Sequence, residues 1–118
     1  MIQSYKFHTT NWSQFENGKS LGQKGSENGI IIFDIEQTLG ARITIEADCD
    51  KIPFAITLGI YGILFHTEYL GLEKEVEEYV ERKIIEINDI LCLTKIDELE
   101  RNADWNQEYF KLIDKIVE

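Results

Sequence analysis

The apolar residues of this chain change their spacing part-way along the sequence, and that change constrains the fold more than any other feature. From Leu39 to Asp48 the apolar side chains occupy every second position. From Leu72 onward they recur at every third or fourth position instead. A period of two is typical of a strand with one buried face, whereas a period near 3.6 is typical of an amphipathic helix. Strands are therefore expected first and helices after them.

Four segments have the residue pattern of strands, and they cover residues 3–9, 29–36, 39–48 and 54–69. The short connection between the second and third predicts a hairpin. The fourth is apolar on both faces and predicts one long central strand, in which Gly59 and Gly62 mark a bulge, a bend or a close approach of another segment. Residues 11–29 are polar and rich in glycine. They either contain a short helix at residues 11–17 or form a binding loop.

Two helices are expected in the C-terminal part of the chain. The first should begin near Gly71 and run for about 20 residues. The second should begin at Asp104, because Gln107 follows it with the spacing of a capping box. The fold class is therefore α+β: an antiparallel sheet of about four strands followed by two C-terminal helices packed on one face, in a single domain over residues 1–118.

The net charge is strongly negative and unevenly distributed. The chain has 22 acidic and 12 basic side chains, which gives a formal charge of −10. Residues 1–67 carry seven acids and five bases, a balance of −2, and residues 68–118 carry fifteen acids and seven bases, a balance of −8. Such a field repels nucleic acid and anionic lipid and attracts basic proteins. A basic protein partner is therefore expected, and no nucleic acid.

The remaining bulk features predict a cytoplasmic protein without a membrane segment. The longest apolar stretch, residues 52–65, is interrupted by glycine and is shorter than the roughly 20 residues of a spanning helix. The first ten residues lack the pattern of a secretory signal. Cys49 and Cys92 lie far apart without a partner motif, which favours reduced thiols, and Cys92 is expected to be a small buried side chain of the first helix.

The first candidate site is an acidic surface on the helices. Glu77, Glu78 and Glu81 lie on the predicted outer side of the first helix, and Trp105 and Tyr109 on the second helix are candidate aromatic anchors. The open face of the sheet is an alternative binding surface. A solvated helix face that only aids solubility is the competing interpretation.

The second candidate site is a pocket between the predicted long strand and the 11–29 loop. It would contain His66 with Tyr61 or Tyr69, and Glu68 is the nearest carboxylate to this histidine along the strand. The competing interpretation is a strand-end histidine that only makes hydrogen bonds.

No metal site and no cofactor are expected. The histidines and cysteines do not have the spacing of metal ligands, and the glycines of the 11–29 loop do not form a phosphate-binding motif. No catalytic motif is present in the sequence. A non-enzymatic role is therefore favoured.

The segment Asp50 to Thr67, DKIPFAITLGIYGILFHT, resembles a stretch in small bacterial proteins of unassigned function. In size and acidity the chain is also similar to the small immunity proteins that neutralise bacterial toxins. That resemblance implies a bacterial protein-binding domain and transfers no site residue. Three hypotheses follow: a binding protein for a basic partner, a small-ligand-binding or catalytic domain, and a homodimer formed through the apolar sheet face.

Overall fold

The structure is a computed structural model that describes residue 7 and residues 11–50, 52–95 and 98–118. Within these residues five strands precede two α-helices. Their bounds are β1 (Trp12–Gln14), β2 (Ile30–Gln37), β3 (Ala41–Ala47), β4 (Phe54–Ile60), β5 (Leu64–Leu70), α1 (Glu73–Thr94) and α2 (Ala103–Ile116). Short turns of 3-10 helix follow β1, at Phe15–Gly18, and precede α2, at Glu98–Glu100. The predicted α+β class is confirmed, with five strands in place of about four.

The five strands form one antiparallel sheet in which the spatial order equals the chain order. Each strand therefore pairs with its neighbour in sequence, as in a meander. The predicted hairpin of β2 and β3 is present, with Ile35 opposite Ile43 and Asp34 opposite Thr44. One irregularity interrupts this pairing, between Ile31 and Phe33.

The prediction of one long strand over residues 54–69 is wrong. The segment forms two strands, β4 and β5, which pair with each other through a turn at residues 61–63. Gly62 adopts a φ of +77° in that turn, which favours glycine, and the amide of Ile63 donates to the carbonyl of Ile60. The segment looked continuous because residues 54–65, which include β4, the turn and the start of β5, are almost entirely apolar.

The core lies between the sheet and α1. Ile43, Ile45, Ile56 and Leu58 from the sheet are fully buried, because the helices cover the face on which they lie. The predicted apolar stripe of α1 is buried as well, except for its first member, Leu72, which is 64% exposed. The buried members of that stripe are Val76, Val80, Ile84, Ile87 and Leu91.

The second helix packs mainly against α1. Its predicted start at Asp104 is displaced, since the side chain of Asn102 caps the helix by accepting from the amide of Trp105 at 2.9 Å. The indole of Trp105 donates to the carbonyl of Leu93 at 2.9 Å, and Ile116 is fully buried at the other end. Lys83, in the first half of α1, donates to the carbonyl of Lys115 near the end of α2, so the two helices run antiparallel along each other.

Two further predictions concern the N-terminal part. The strand predicted over residues 3–9 lies outside the described residues except for Phe7, which is buried and lies 5.0 Å from Phe33 between ring centroids. Residues 11–17 form no α-helix, because they contain β1 and part of the 3-10 turn. The indole of Trp12 donates to Asn88 at 3.0 Å and so joins β1 to α1.

Candidate functional site

The sheet face opposite the helices is polar on its central strands. Since cross-strand partners share a face, Asp34, Arg42, Thr44, Glu46 and Thr57 all lie on this side. Because the apolar residues of β3 occupy every second position, the sequence also places Arg42, Thr44 and Glu46 together on one face. Residues 15–29, named here the covering segment, lie over part of this face and bury several of its polar side chains.

Asp34 organises the centre of the polar face. Its carboxylate accepts from Arg42 Nε at 2.8 Å and from Arg42 Nη2 at 2.6 Å, and from the hydroxyl of Thr44 at 3.1 Å. Ser20 of the covering segment donates to the same carboxylate at 2.8 Å. The bond with Asp34 is the main reason why the pKa of Arg42 is raised. The guanidinium also lies 3.5 Å from the ring centre of Phe15, so Arg42 is held by both Asp34 and Phe15.

Glu46 holds the tip of the covering segment. This side chain is buried, and its carboxylate accepts from the backbone amides of Glu27 at 3.1 Å and Gly29 at 3.2 Å. Residues further back in the segment also form backbone bonds with the start of β2, since Gly22 donates to the carbonyl of Ile31 at 2.8 Å. Two buried carboxylates therefore hold the covering segment against the sheet.

A cavity of about 300 Å³ remains between the covering segment and the sheet. Lys24 lies on the side of the covering segment, and Arg42, Glu46 and Phe65 lie on the side of the sheet. A second cavity of about 330 Å³ adjoins it and includes Tyr69. The other lining residues of the first cavity are Gly25, Ser26, Ile31, Thr44, Thr57 and Gly59.

Three aromatic side chains lie on β5 and its turn. Phe65 is 73% exposed, and its ring lies over Gly59, where an added Cβ would come within 2.8 Å of the ring. Tyr61 and Tyr69 are each 45% exposed. The rings are thus accessible at the rim of the polar face that the covering segment leaves open. We call these three residues the aromatic rim.

The two tyrosines of the aromatic rim are bonded to carboxylates. Tyr61 donates to Glu36 at 2.7 Å, and burial together with this bond raises the pKa of Tyr61 to about 12. Tyr69 donates to Glu27 of the covering segment, and that bond is the main reason why its pKa is raised. Both phenols are therefore neutral at physiological pH and act as hydrogen-bond donors.

The pocket residues predicted from sequence do not come together. His66 pairs with Leu58 across the strands, so it lies on the helix side of the sheet, whereas the cavities lie on the other side. It stands 3.4 Å from Glu68, the carboxylate predicted to be near it. Tyr69 lines the second cavity, and Tyr61 lies at the β4–β5 turn. A pocket adjoining the covering segment exists, but the histidine is not part of it.

The five residues of the predicted acidic surface also fall into two groups. Glu77, Glu78 and Glu81 lie in the first half of α1. Trp105 lies beside Leu93 near the end of α1 and stacks on Tyr109, with ring centroids 4.9 Å apart. At 1.5 Å per helical residue, about 18 Å of axis separates Glu81 from Leu93. The aromatic pair therefore does not lie among the three glutamates.

Neither cysteine forms a disulfide, and Cys49 is unsuited to nucleophilic chemistry in this setting. Cys49 and Cys92 are both free, and Cys92 is exposed, contrary to the expected buried position. Burial, with the negative charge of Glu46, raises the pKa of the Cys49 thiol. A thiol with a raised pKa carries little thiolate at neutral pH, and the thiolate is the nucleophilic form.

Sequence reasoning missed the buried pair Lys83 and Glu86 between the helices. The ammonium of Lys83 is fully buried, and it donates to Glu86 at 3.0 Å and to the carbonyls of Lys115 and Glu118 at 3.3 Å and 3.2 Å. In the sequence Lys83 directly precedes Ile84 of the apolar stripe of α1, and nothing in that pattern indicates that the lysine is buried. The signal for Asp34, by contrast, was a single acid inside an apolar run.

The comparisons with known proteins do not indicate a role for the chain. Family models give no match, and neither the curated proteins nor the solved structures contain a significant one. Among the described residues no group of three or more histidines, cysteines or acids is placed to hold a metal ion. In the same part of the chain, no helix combines the length and apolar character that crossing a membrane requires.

Proposed function

We propose that this chain is a non-enzymatic protein-binding domain that uses the open part of its polar sheet face to bind a basic segment of a protein partner. The observation that carries the proposal is the aromatic rim: three accessible rings on β5 and its turn, beside a cavity and next to carboxylates. The proposal favours this surface over the acidic helix surface, whose aromatic and acidic members lie apart.

The chemistry of the aromatic rim suits a binding surface. Aromatic side chains contribute a large share of the energy in many interfaces, and Tyr61 and Tyr69 are held in place by bonds to Glu36 and Glu27. Rings that are already ordered lose little freedom on binding. The face of Phe65 is also a favourable contact for an arginine or lysine side chain.

The charge of the chain supports a basic partner. The formal charge of −10 speeds the approach of a positive segment and disfavours nucleic acid. The carboxylates of Glu27 and Glu36 lie at the aromatic rim itself, where they offer local acceptors for cationic side chains. The free cysteines are in keeping with a reducing compartment, and we place the domain in the bacterial cytoplasm, as an immunity-like protein.

Selection from a displayed library of random peptides tests the proposal. We expect the selected peptides to be rich in arginine and lysine, and to perturb the amide signals of β4, β5 and residues 24–28 in NMR titrations. Phe65→Ser should weaken their binding by about tenfold, as expected for the loss of one exposed aromatic contact with a cation.

Phe110→Ser is the matched control, because Phe110 is a similarly exposed phenylalanine, at 62%, on α2. Peptide affinity should be unchanged in this variant. Selected peptides that bind Phe65→Ser as well as the wild type, or that perturb mainly residues 77–81, would reject the sheet-face proposal.

A small-ligand-binding or catalytic domain is the second candidate, and the cavity of about 300 Å³ favours it. That volume is at the lower end of the range for ligand sites. Lys24 contributes an ammonium and Thr57 a hydroxyl to its lining. A ligand-observed NMR screen of small carboxylates and phosphates tests this candidate, which predicts hits whose binding is lost in Lys24→Met and kept in Lys19→Met.

A further inference from the structure

Strand β5 forms one edge of the sheet, and the described residues give it a single neighbour, β4. Its pairing with β4 is continuous from Leu64 to Leu70, without a bulge. The strand has seven residues and contains no lysine and no proline. Bulges, lysines and prolines are features by which proteins normally prevent an edge strand from pairing with another chain, and β5 has none of them. The edge of β5 is therefore available for pairing.

The opposite edge of the sheet differs in this respect. Strand β1 has only three residues. The chain then turns away, because Glu16 and Asn17 adopt φ values of 48° and 56° in the 3-10 turn that follows. A short edge that ends in such a turn offers few backbone groups to a partner. Of the two edges, β5 is the one open to another strand.

The sequence of β5 is self-complementary. The strand reads Leu-Phe-His-Thr-Glu-Tyr-Leu, from Leu64 to Leu70. When it is placed antiparallel to a copy of itself with Thr67 at the centre, every residue meets a compatible partner. Leucine then meets leucine, phenylalanine meets tyrosine, histidine meets glutamate and threonine meets threonine. Aromatic pairs and threonine pairs are favourable cross-strand types, the leucines bury apolar surface against each other, and the imidazole can hydrogen-bond the carboxylate.

We propose that two copies of this chain associate through their β5 strands, antiparallel and around a two-fold axis at Thr67. The two five-stranded sheets then form one continuous sheet of ten strands. The two-fold axis is perpendicular to the sheet, so the polar faces of both copies point the same way. A dimer of this kind satisfies the backbone amides and carbonyls that the free edge leaves to water.

The side chains of β5 are placed correctly for this arrangement on both faces of the sheet. Phe65 and Tyr69 lie on the polar face and are partly exposed, so each can pack against the other residue from the second copy. His66 and Glu68 lie on the helix side with partly exposed side chains, and each can pair with its counterpart across the axis. The proposal does not rest on the proposed function, because it needs no other partner.

Analytical ultracentrifugation over a wide range of concentration tests the dimer. The wild-type chain should shift from monomer to dimer as concentration rises. His66→Glu places two carboxylates opposite each other on both sides of the axis, directly beside Thr67, and should raise the dissociation constant by about tenfold. The double variant His66→Glu with Glu68→Lys places opposite charges across the axis and should bring the dissociation constant back toward the wild-type value.

Gln107→Glu is the control for added charge, because it introduces one acid at an exposed position of α2. It should leave the dissociation constant unchanged. A wild-type chain that stays monomeric at all concentrations would overturn the proposal. A dimer that His66→Glu does not weaken, or that the double variant does not restore, would overturn it as well.

Cross-linking tests the register independently of charge. In a background of Cys49→Ser and Cys92→Ser, Thr67→Cys should form a disulfide-linked dimer on mild oxidation, because residue 67 meets itself across the axis. Phe65→Cys should not, because its partner in this register is residue 69. Equal or faster cross-linking of Phe65→Cys would reject this register. Circular dichroism of each variant shows whether the fold is retained.

Discussion

Asp34 and Glu46 are buried carboxylates, and their partners explain why the covering segment lies where it does. Asp34 of β2 accepts hydrogen bonds from the sheet and from Ser20 of the covering segment. Glu46 of β3 accepts from backbone amides of the covering segment. Both carboxylates therefore join parts of the chain that are not paired as strands. A buried polar group costs free energy unless it is bonded. These two residues therefore specify one position of the covering segment on the sheet, which apolar contacts alone would leave less defined.

Neutralising Asp34 should destabilise the protein. Asp34→Asn removes the bidentate pair with Arg42, and we expect the free energy of unfolding to fall by about 2 kcal/mol in urea titrations. Glu36→Gln is the control, because Glu36 bonds the partly exposed Tyr61, and it should cost less than about 0.5 kcal/mol. Equal losses in the free energy of unfolding for the two substitutions would show that the bonds of Asp34 contribute no more to stability than the exposed bond of Glu36.

The alternation in β3 was sufficient to predict that Arg42, Thr44 and Glu46 share one face of the sheet. It could not predict what covers them. The bonds of Ser20 to Asp34 and of Gly29 to Glu46 depend on how a loop without any regular pattern folds back. The position of His66 was missed for a simpler reason, since its face depends on where the turn between β4 and β5 falls.

Each end of α2 is fixed by a side chain. Asn102 caps its first turn, and Lys83 of α1 donates to the carbonyl of Lys115 in its last turn and to that of Glu118 just after the helix. The amides at the start of a helix and the carbonyls at its end have no partners within the helix. These two residues provide such partners and thereby set the limits of the helix.

Replacing the cap of α2 should weaken the helix. Asn102→Ala removes the acceptor for the amide of Trp105, and we expect a loss of about 1 kcal/mol in the free energy of unfolding. Asp104→Ala, at the position favoured by the sequence pattern, should cost only a few tenths of a kcal/mol through the helix dipole. Chemical denaturation of both variants measures the difference, and a larger loss for Asp104→Ala would contradict the assignment of the cap.

Removing the buried ammonium of Lys83 should be more costly. Lys83→Met leaves the carboxylate of Glu86 buried with its nearest cation gone, and we expect a loss of about 3 kcal/mol. The double variant Lys83→Met with Glu86→Leu should return to within about 1 kcal/mol of the wild type. Lys74→Met on the exposed start of α1 is the control, with little expected effect. A double variant no more stable than Lys83→Met would argue against a coupled pair.

At the scale of elements, the sequence predicted best where one face of an element is apolar and the other is polar. β3 and α1 satisfy that condition, and both were found where the period placed them. Residues 54–69 do not satisfy it, because the aromatic rim lies on one face and the core on the other, and both contain apolar side chains. The turn at Gly62 consequently looked like an irregularity inside one strand.

The stability of the whole molecule should depend on the ionisation of its tyrosines at alkaline pH. The pKa of Tyr61 is about 12 in the folded chain, against 10.0 for a free tyrosine. Burial raises the pKa of Tyr79 as well, with a contribution from the charge of Glu68. A raised folded pKa means that the folded state binds the proton more tightly than the unfolded state does.

Stability should therefore fall as the pH rises above about 10. The contribution of Tyr61 is fully present below the unfolded pKa and is lost as the pH rises through about 12. Urea midpoints measured across this alkaline range check the slope, which should be shallower in Tyr61→Phe. A slope identical in Tyr61→Phe and the wild type would mean that this phenol ionises equally in the folded and unfolded states.

The meander order of the five strands has a consequence for how the chain reaches its native state. Every strand finds its partner in the segment that directly precedes or follows it. Closing loops between segments that are neighbours in the chain costs little entropy, and a fold made of local contacts forms faster than one that must join distant segments. The hairpins can assemble one after another, and the rate of refolding is then governed by nearby encounters along the chain.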